Sequence, residues 1–226
     1  MRLELRHIVK SFAGKGPEPD RRRVLEDILL TVNSGDSVGI TGPSGVGKTT
    51  LGLILAGLLR PDKGEVMVHH SDFWSASRRE RRAMGRKLQM VFQHPESSFD
   101  PRWTIRQSLE EPYRLNGIRP DISVLTAHLE NVGLDASILF RHPHQLSGGE
   151  LQRIAIARIM ILEPELVVLD EPTAMLDVIT QTRIMSLLDR FRRENRIGYV
   201  LISHAPNLVQ RFCKKIYRLE KGRLLD

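Results

Sequence analysis

The 226-residue sequence has little of several features that mark specialised classes of protein. A single cysteine, Cys213, excludes a disulfide framework and a cysteine-based zinc or iron–sulfur site, and is in keeping with a reducing compartment. No apolar run approaches the ~20 residues that a membrane-spanning helix needs, and the first residues alternate charge with apolar side chains, unlike a signal peptide. We therefore expect a soluble chain, or one peripheral on the membrane segments of other proteins.

Aromatic residues make up only 5% of the chain, whereas basic residues give it a net charge of +7. The basic residues are densest in two runs, Arg78, Arg79, Arg81, Arg82, Arg86 and Lys87, and Arg190, Arg192, Arg193 and Arg196. Nucleic-acid binding, attraction to an anionic inner leaflet and a solvated helix face are the three interpretations. The solvated face is favoured because no aromatic residues on which bases could stack are interleaved with these cations.

Short apolar and β-branched runs predict strands that alternate with helical patterns. The predicted strands are Leu3–Leu5, Ile28–Val32, Val38–Thr41, Val66–Val68, Met90–Phe92, Leu166–Leu169 and Tyr199–Ile202. The clearest helix runs from Asp177 to Asn195, with one apolar stripe formed by Ile179, Ile184, Leu187, Leu188 and Phe191. Gly14–Arg23 reads as a surface loop. The alternation predicts an α/β fold, and the continuous apolar run at Leu166–Leu169 is typical of a buried parallel strand.

The stretch from about residue 101 to 162 differs because it lacks strand-like runs. It offers helical segments around Thr104–Leu115, Ile122–Val132 and Gly148–Leu162. We expect a helical subdomain there, inserted into an α/β core of residues 1–100 and 163–226. The whole chain, 1–226, is then a single domain.

A complete P-loop pattern lies between a predicted strand and a predicted helix. Its residues are Gly42, Pro43, Ser44, Gly45, Val46, Gly47, Lys48, Thr49 and Thr50. The glycines let successive backbone N–H groups point at one anion, and the helix N-terminus adds partial positive charge. Lys48 supplies an ammonium for the β- and γ-phosphates, and the Thr49 hydroxyl is a hard oxygen ligand for Mg²⁺. The pattern predicts a nucleoside triphosphate site.

Two carboxylates follow the strand Leu166–Leu169. Asp170 and Glu171 lie at its carboxyl end, where open α/β sheets bind their ligands. We expect Asp170 to hold Mg²⁺ through water, and Glu171 to orient and activate the attacking water.

A second helix start is formed by Ser147, Gly148, Gly149 and Glu150. Ser-x-x-Glu before an apolar run is a capping box, but a capping box does not require two glycines, which cost helix stability. The glycines are explained if a phosphate must approach the backbone. Because the P-loop already covers one side of its own nucleotide, that phosphate is expected to belong to the ATP of another subunit.

In their order along the chain, these motifs resemble the ATP-binding subunit of an ABC transporter. The resemblance implies a P-loop NTPase (RecA-like) core with a mostly parallel sheet, an antiparallel N-terminal β part and an inserted helical subdomain. It also implies that Gln93 contacts Mg²⁺ and the transmembrane subunit as part of the catalytic set. Asp177 would end the D-loop at the nucleotide, His204 would be the switch histidine, and Phe12 would stack on adenine.

A narrower resemblance is to the dipeptide, oligopeptide and nickel importers, with the nickel-importing members as the nearest match. It rests on Gln89–Arg102 followed by Thr104-Ile105, on Pro143–Gly149 and on Val209–Cys213. Three departures stand out. His94 replaces an acidic residue, Phe99-Asp100 replaces Leu-Asn, and Ala205 replaces an acidic residue after His204. Glu150 stands where glutamine is commoner.

The resemblance implies ATP and Mg²⁺ as cofactors and a place on the cytoplasmic face of the inner membrane. The implied partners are a second cassette, identical or a sister, two permease subunits and, indirectly, a solute-binding protein, with no nucleic acid. One alternative is a cassette that serves another small solute. The other is a non-transport ABC ATPase acting on nucleic acid, which is disfavoured because only about 100 residues, without sustained heptads, separate the P-loop from Ser147.

Overall fold

The computed structural model describes residues 1–13, 21–174 and 176–225. They fall into two compact units. The core unit comprises Met1–Met90, Glu165–Glu171 and Phe191–Asp226, and the helical unit comprises Val91–Pro164 and Pro172–Arg190. The expected helical subdomain, about 101–162, lies within the first segment of the helical unit, while its assignment to one cassette domain stays a prediction.

The strands along the described residues are β1 (Arg2–Ala13), β2 (Arg21–Asn33), β3 (Ser37–Thr41), β4 (Lys63–Val68), β5 (Ser71–Asp72), β6 (Leu88–Val91), β7 (Leu166–Asp170), β8 (Gly198–Ile202), β9 (Lys215–Glu220) and β10 (Arg223–Leu225). The helices are α1 (Lys48–Leu55), α2 (Arg78–Lys87), α3 (Ile105–Arg114), α4 (Ile122–Asn131), α5 (Gly148–Met160), α6 (Val178–Asn195) and α7 (Pro206–Phe212). This alternation confirms the predicted α/β class.

An antiparallel sheet with the strand order β2-β1-β4-β5 forms one layer of the core unit. Its buried face follows the two-residue period of a strand, since Leu3 and Leu5 are buried and pair with Val32 and Leu30 of β2. The loop predicted over Gly14–Arg23 is wrong at its end, because Arg21–Arg23 pair with Ser11–Ala13 inside β2. The hydrogen bonds between β1 and β2 are made by backbone groups, so strand pairing there does not need apolar side chains. Residues 14–20 of that prediction lie outside the described residues.

The second sheet has the order β10-β9-β3-β8-β7-β6, and its central pairs are parallel: β9 with β3, β3 with β8, and β8 with β7. Leu166–Leu169 are fully buried, as expected of a parallel strand covered on both faces. The hairpin β9–β10 was not predicted, because charged residues interrupt its apolar pattern. In this sheet the carboxyl ends of β3, β7 and β8 lie at one edge.

The helical unit contains α3, α4 and α5, and all three of its predicted helical segments are confirmed. Thr104 caps α3 through a box with Gln107, in which each side chain bonds the other residue's backbone N–H. The buried side chains of the unit include Leu109, Leu129 and Ile154, one from each helix. The unit therefore has an apolar core of its own.

Helix α6 begins at Val178, one residue after the predicted start. The predicted apolar stripe holds at Ile184 and Leu188, which are fully buried. It is wrong at Ile179, which is 66% exposed. Ile179 lies in the first turn beside the exposed Val178, so periodicity alone places it on the stripe although that turn is not covered.

Helix α2 carries the denser basic run and buries none of its residues. Ser77 caps it through a box with Glu80, whose carboxylate accepts from the Ser77 backbone N–H at 3.0 Å. The run therefore lies on an exposed helix face, and the choice of a solvated face among the three interpretations stays a prediction. Across the residues that the structure describes, no helix is long and apolar enough to cross a membrane.

Candidate functional site

The P-loop curls between the end of β3 at Thr41 and the start of α1 at Lys48. All three of its glycines have a positive φ that other residues rarely adopt, and at Gly42 and Gly47 a side chain would also meet neighbouring atoms. Gly42 has φ +147°, and a Cβ there would lie 2.4 Å from the Leu219 carbonyl oxygen. Gly47 has φ +113° and caps α1. The tight path of the loop therefore depends on these two positions.

Lys48 is the buried cation of this loop, with only 8% of its surface exposed. Its Nζ donates to the carbonyl oxygens of Gly42 at 2.8 Å and Pro43 at 2.9 Å. The ammonium is thereby held inside the curl and close to the N-terminus of its own helix. The tip of the loop, Pro43–Gly45, is exposed, as is Thr49. An anion entering the curl would meet the ammonium and the helix N-terminus together.

Asp170 ends β7 and is buried, with 3% of its surface exposed. Burial raises the pKa of its carboxyl group, and a hydrogen bond with the Thr49 hydroxyl opposes that shift. Within the described part of the chain its Oδ1 has no hydrogen-bond partner, although nearly all buried polar atoms have one. A buried carboxylate oxygen beside a hydroxyl is a donor set that suits a hard cation, so these residues fit Mg²⁺.

Glu171 and His204 are brought together at the ends of β7 and β8. Glu171 Oε1 accepts from His204 Nδ1 at 2.7 Å and from the His204 backbone N–H at 2.9 Å. Ser203 Oγ donates to the other carboxylate oxygen at 3.3 Å. Because the acceptor is a carboxylate, Nδ1 carries a proton in this contact. The exposed imidazole is thus oriented by Glu171, while the Ala205 backbone N–H bonds Ser203 Oγ at 3.1 Å.

Phe12 lies near the end of β1, paired with Arg22 of β2. Its side chain is 43% exposed, and the Lys10 ammonium lies 5.6 Å from the ring centroid. Lys10 is itself held by Asp62 at 2.9 Å. The ring is therefore accessible for stacking on an aromatic base, and a cation already lies on it.

In the helical unit, Ser147 and Glu150 form the capping box of α5. The Glu150 backbone N–H donates to Ser147 Oγ at 3.3 Å, and Glu150 Oε2 accepts from the Ser147 hydroxyl at 2.6 Å and backbone N–H at 2.9 Å. These bonds lower the pKa of Glu150. Glutamate therefore completes the cap at a position where glutamine is commoner in the family.

The two glycines behind this cap differ in their surroundings. A Cβ on Gly149 would lie 2.7 Å from Thr180 Cγ2, which is too close, whereas a Cβ on Gly148 would lie 3.6 Å from Leu176, an ordinary contact. Packing alone thus accounts for Gly149. Gly148 is exposed and has room for a side chain, so the argument that a phosphate approaches the backbone rests on Gly148.

Asp177 accepts from the Thr180 backbone N–H at 2.9 Å and from its hydroxyl at 2.6 Å. It therefore caps α6, and these bonds lower its pKa. Thr180 touches both this cap and the Gly149 position, so one threonine joins the two motifs. Neither Thr180 nor Ser203 was singled out from the sequence. An Asp-x-x-Thr spacing at a helix start was the available signal for Thr180.

Gln93 follows β6 and is half-buried. The turn after it, Pro95–Ser98, leads to Phe99, which is buried against the Arg158 guanidinium at 5.5 Å from its ring centroid. Arg158, on α5, also bonds the Ser98 carbonyl and Glu111. Phe99, one of the departures from the family pattern, thus packs against Arg158 of α5.

The predicted site residues therefore form two groups. In the core unit the structure joins the P-loop residues, Asp170, Glu171 and His204, with Phe12 on a separate strand of the same unit. In the helical unit it joins Ser147–Glu150 to Asp177 through Thr180, with Gln93 elsewhere in that unit.

A family model described as "ABC transporter" matches residues 25–174.

The chain belongs to the ABC transporter family. It is 36% identical over 218 residues to "Nickel import ATP-binding protein NikE" of Shigella boydii serotype 4 (strain Sb227), covering 95% of this chain and 80% of that protein. It is 34% identical over 208 residues to "Putative oligopeptide transport ATP-binding protein YkfD" of Bacillus subtilis (strain 168), covering 90% and 63%.

A solved structure of the dimeric ATP-binding cassette MJ0796, in a post-hydrolysis state bound to ADP and Pi, superposes with a TM-score of 0.84. The two share 28% identity, and the match covers 99% of this chain and 97% of that one. The predicted P-loop NTPase fold and the ABC resemblance are therefore confirmed. The chain is an ATP-binding cassette and an ATPase.

Proposed function

We propose that this cassette powers an ABC importer for nickel, a metal chelate or di- and oligopeptides. The observation that carries the proposal is the likeness over at least nine-tenths of the chain to one protein named for nickel import and one named for oligopeptide transport. The importer-like segment Gln89–Arg102 supports it. A cassette that serves another small solute is the first alternative, because the ATP-binding motifs are the same whatever the cargo, and a non-transport ABC ATPase acting on nucleic acid is the second.

Two such subunits, identical or paired with a sister, would sandwich two ATP molecules head to tail. In each site the P-loop of one subunit would face Ser147–Gly149 of the other. Ser147, Gly148 and the tip of the P-loop are exposed, as surfaces that meet in a dimer must be before they meet. ATP would drive closure because only the closed state contacts the γ-phosphate from both sides.

Within one subunit, the P-loop N–H groups and Lys48 would hold the β- and γ-phosphates, and Phe12 would stack on the adenine. Thr49 and Asp170 would hold Mg²⁺, with Gln93 as the further ligand expected from the family pattern. Bound there, Mg²⁺ would neutralise charge on the β- and γ-phosphate oxygens. Asp177 would lie at the nucleotide across the dimer.

Glu171 would orient the attacking water and take its proton, since its carboxylate is fixed by donors from Ser203 and His204. The Glu171–Nδ1 bond would present His204 Nε2 to the γ-phosphate side. The imidazole would contact the γ-phosphate there, so the pair would register whether that phosphate is present. Hydrolysis would then open the dimer.

Gln93 and the segment through Arg102 would transmit closure to two permease subunits, which would be loaded by a solute-binding protein. His94 and Phe99-Asp100 lie in this segment, so they would bear on the choice of partner rather than on ATP chemistry. Within this segment Asp100 is paired with Arg102, and the pairing lowers the pKa of the Asp100 carboxyl group to about 2. The cassette would act on the cytoplasmic face of the inner membrane.

Alanine at Gly148 and at Gly149 should have opposite effects on folding. Gly148→Ala adds a methyl group to the first turn of a helix, at an ordinary contact distance of 3.6 Å from Leu176, so stability should be unchanged or rise by up to about 1 kcal/mol. It should nevertheless lower ATP turnover, because a methyl group would stand where the partner's phosphate approaches. Gly149→Ala should destabilise the protein by about 1–3 kcal/mol through its clash with Thr180.

Urea unfolding and steady-state ATPase assays on both variants provide the measurements. The matched control is Gly85→Ala on α2, where a Cβ would meet nothing within 4 Å. That control should gain stability and keep full turnover. Full turnover in Gly148→Ala would contradict the proposed phosphate contact.

The cargo is tested by measuring cell-associated nickel under metal limitation, comparing wild type with Glu171→Gln at matched expression. A marked loss of nickel in the variant would establish a nickel or nickel-chelate importer. Unchanged nickel would contradict that cargo, and uptake of labelled di- and oligopeptides in the same strains would then test the peptide branch of the proposal.

A further inference from the structure

Helix α2 presents a stripe of arginines that the ATPase chemistry does not use. Ten residues long, it carries six cations and one carboxylate, Glu80. At 100° per residue, four of the cations fall within an arc of about 100°. They are Arg78, Arg79, Arg82 and Arg86, and all four are exposed. We call these four residues the arginine stripe.

The opposite side of α2 faces its own unit. There the Arg81 guanidinium lies 5.8 Å from the centroid of the Trp74 ring and bonds the Ala76 carbonyl at 3.4 Å, and Met84 is half-buried. These contacts fix which face of the helix is turned outward. The arginine stripe is thus held on the surface by the packing of the other face.

The stripe concentrates positive charge on one side of the helix. Arg78, Arg82 and Arg86 are spaced i, i+4 and i+8, and like charges at that spacing repel. The Glu80 carboxylate is engaged with Ser77 in the capping box. A surface that concentrates like charge in this way is complementary to an extended anionic surface.

We propose that the arginine stripe of α2 docks on the anionic phospholipid headgroups of the membrane that the transporter occupies. The inference rests on the proposed function only in placing the cassette at that membrane. Clusters of four or more Lys and Arg on one helix are typical of attachment to anionic leaflets. The stripe is exposed on one subunit and includes none of the residues assigned to the nucleotide.

A membrane is favoured over a nucleic acid for two reasons. The family model that the chain matches is described as "ABC transporter", and the stripe has no aromatic side chain on which a base could stack. It also has no apolar residue larger than Ala83 to insert into a bilayer, so the attachment is electrostatic and reversible. It should therefore weaken as salt shortens the Debye length from about 10 Å at 0.1 M to about 3 Å at 1 M.

Cosedimentation of the purified full chain with vesicles tests the proposal. The wild type should bind vesicles of equimolar phosphatidylcholine and phosphatidylglycerol, and should not bind phosphatidylcholine alone. Arg78→Gln/Arg86→Gln should bind about 30-fold more weakly, since each surface cation contributes about 1 kcal/mol. Glutamine forms helices nearly as well as arginine, so α2 should persist.

The matched control is Arg196→Gln/Arg211→Gln, which removes two exposed arginines and the same charge elsewhere in the core unit. It should bind as the wild type does, and Arg78→Lys/Arg86→Lys should retain binding. All three variants should keep the ATPase activity and melting temperature of the wild type.

Equal loss in the control pair would overturn the proposal, because binding would then follow net charge and not the stripe. Equal binding to neutral vesicles would overturn it as well. Displacement of the protein from vesicles by duplex DNA, in a manner that depends on the stripe, would also overturn the proposal. That result would assign the stripe to nucleic acid. The assay needs no cargo or permease, so its result is independent of the nickel measurement that tests the proposed function.

Discussion

Glutamine at position 171 is expected to lower ATP turnover by roughly 10²- to 10⁴-fold, the range for loss of a general base. An amide cannot take the proton of the attacking water. Its oxygen can still accept from the His204 backbone N–H, now 2.9 Å from the carboxylate, so the local geometry should survive. The variant should bind ATP and accumulate as an ATP-bound dimer, visible by size-exclusion chromatography.

The matched control for this substitution is Glu194→Gln, which removes an exposed carboxylate from α6. It should hydrolyse ATP and elute as the wild type does. Normal turnover in Glu171→Gln would exclude the proposed role as base. Loss of nucleotide affinity in that variant would instead assign Glu171 a part in binding.

His204→Ala tests the contribution of the histidine separately from that of the base, Glu171. Removing the imidazole takes away the 2.7 Å contact from Nδ1 to Glu171 but leaves the backbone N–H contact and the Ser203 hydroxyl in place. The carboxylate would then remain partly fixed. A loss smaller than that of Glu171→Gln would agree with His204 as a sensor that acts beside the base.

Most of the features that could be predicted from the sequence lie within short segments of adjacent residues. The P-loop, the strand Leu166–Leu169 with its two following carboxylates, and the capping box at Ser147 each consist of one short segment. Their chemistry follows from local geometry, namely a tight turn, a strand end and a helix start. Such features can be located from spacing alone.

Contacts between distant segments could not be predicted. No local pattern brings Glu171 and His204 within 2.7 Å, and their pairing depends on the parallel register of β7 with β8. Gly149 looked like a phosphate contact because the Thr180 methyl group that lies against it is thirty-one residues away. The hairpin β9–β10 was missed because it is held by backbone pairing under charged side chains.

Alanine at position 48 is expected to weaken ATP binding by about 10²-fold or more. Lys48 would make charge-assisted hydrogen bonds to the phosphates, and such bonds contribute about 1.5–3 kcal/mol each. Isothermal titration with ATP measures the change. Lys63→Ala is the matched control, because it removes an exposed lysine of β4 and should leave the affinity unchanged.

The stability of Lys48→Ala decides how such a loss is interpreted. The lysine donates to the Gly42 and Pro43 carbonyls, but Pro43 is exposed and water can replace the ammonium there. Removing a buried cation also removes its desolvation cost. The free energy of unfolding should therefore change by no more than about 1–2 kcal/mol. Lost affinity with retained stability would place Lys48 on the phosphates, whereas unchanged affinity would contradict the P-loop assignment.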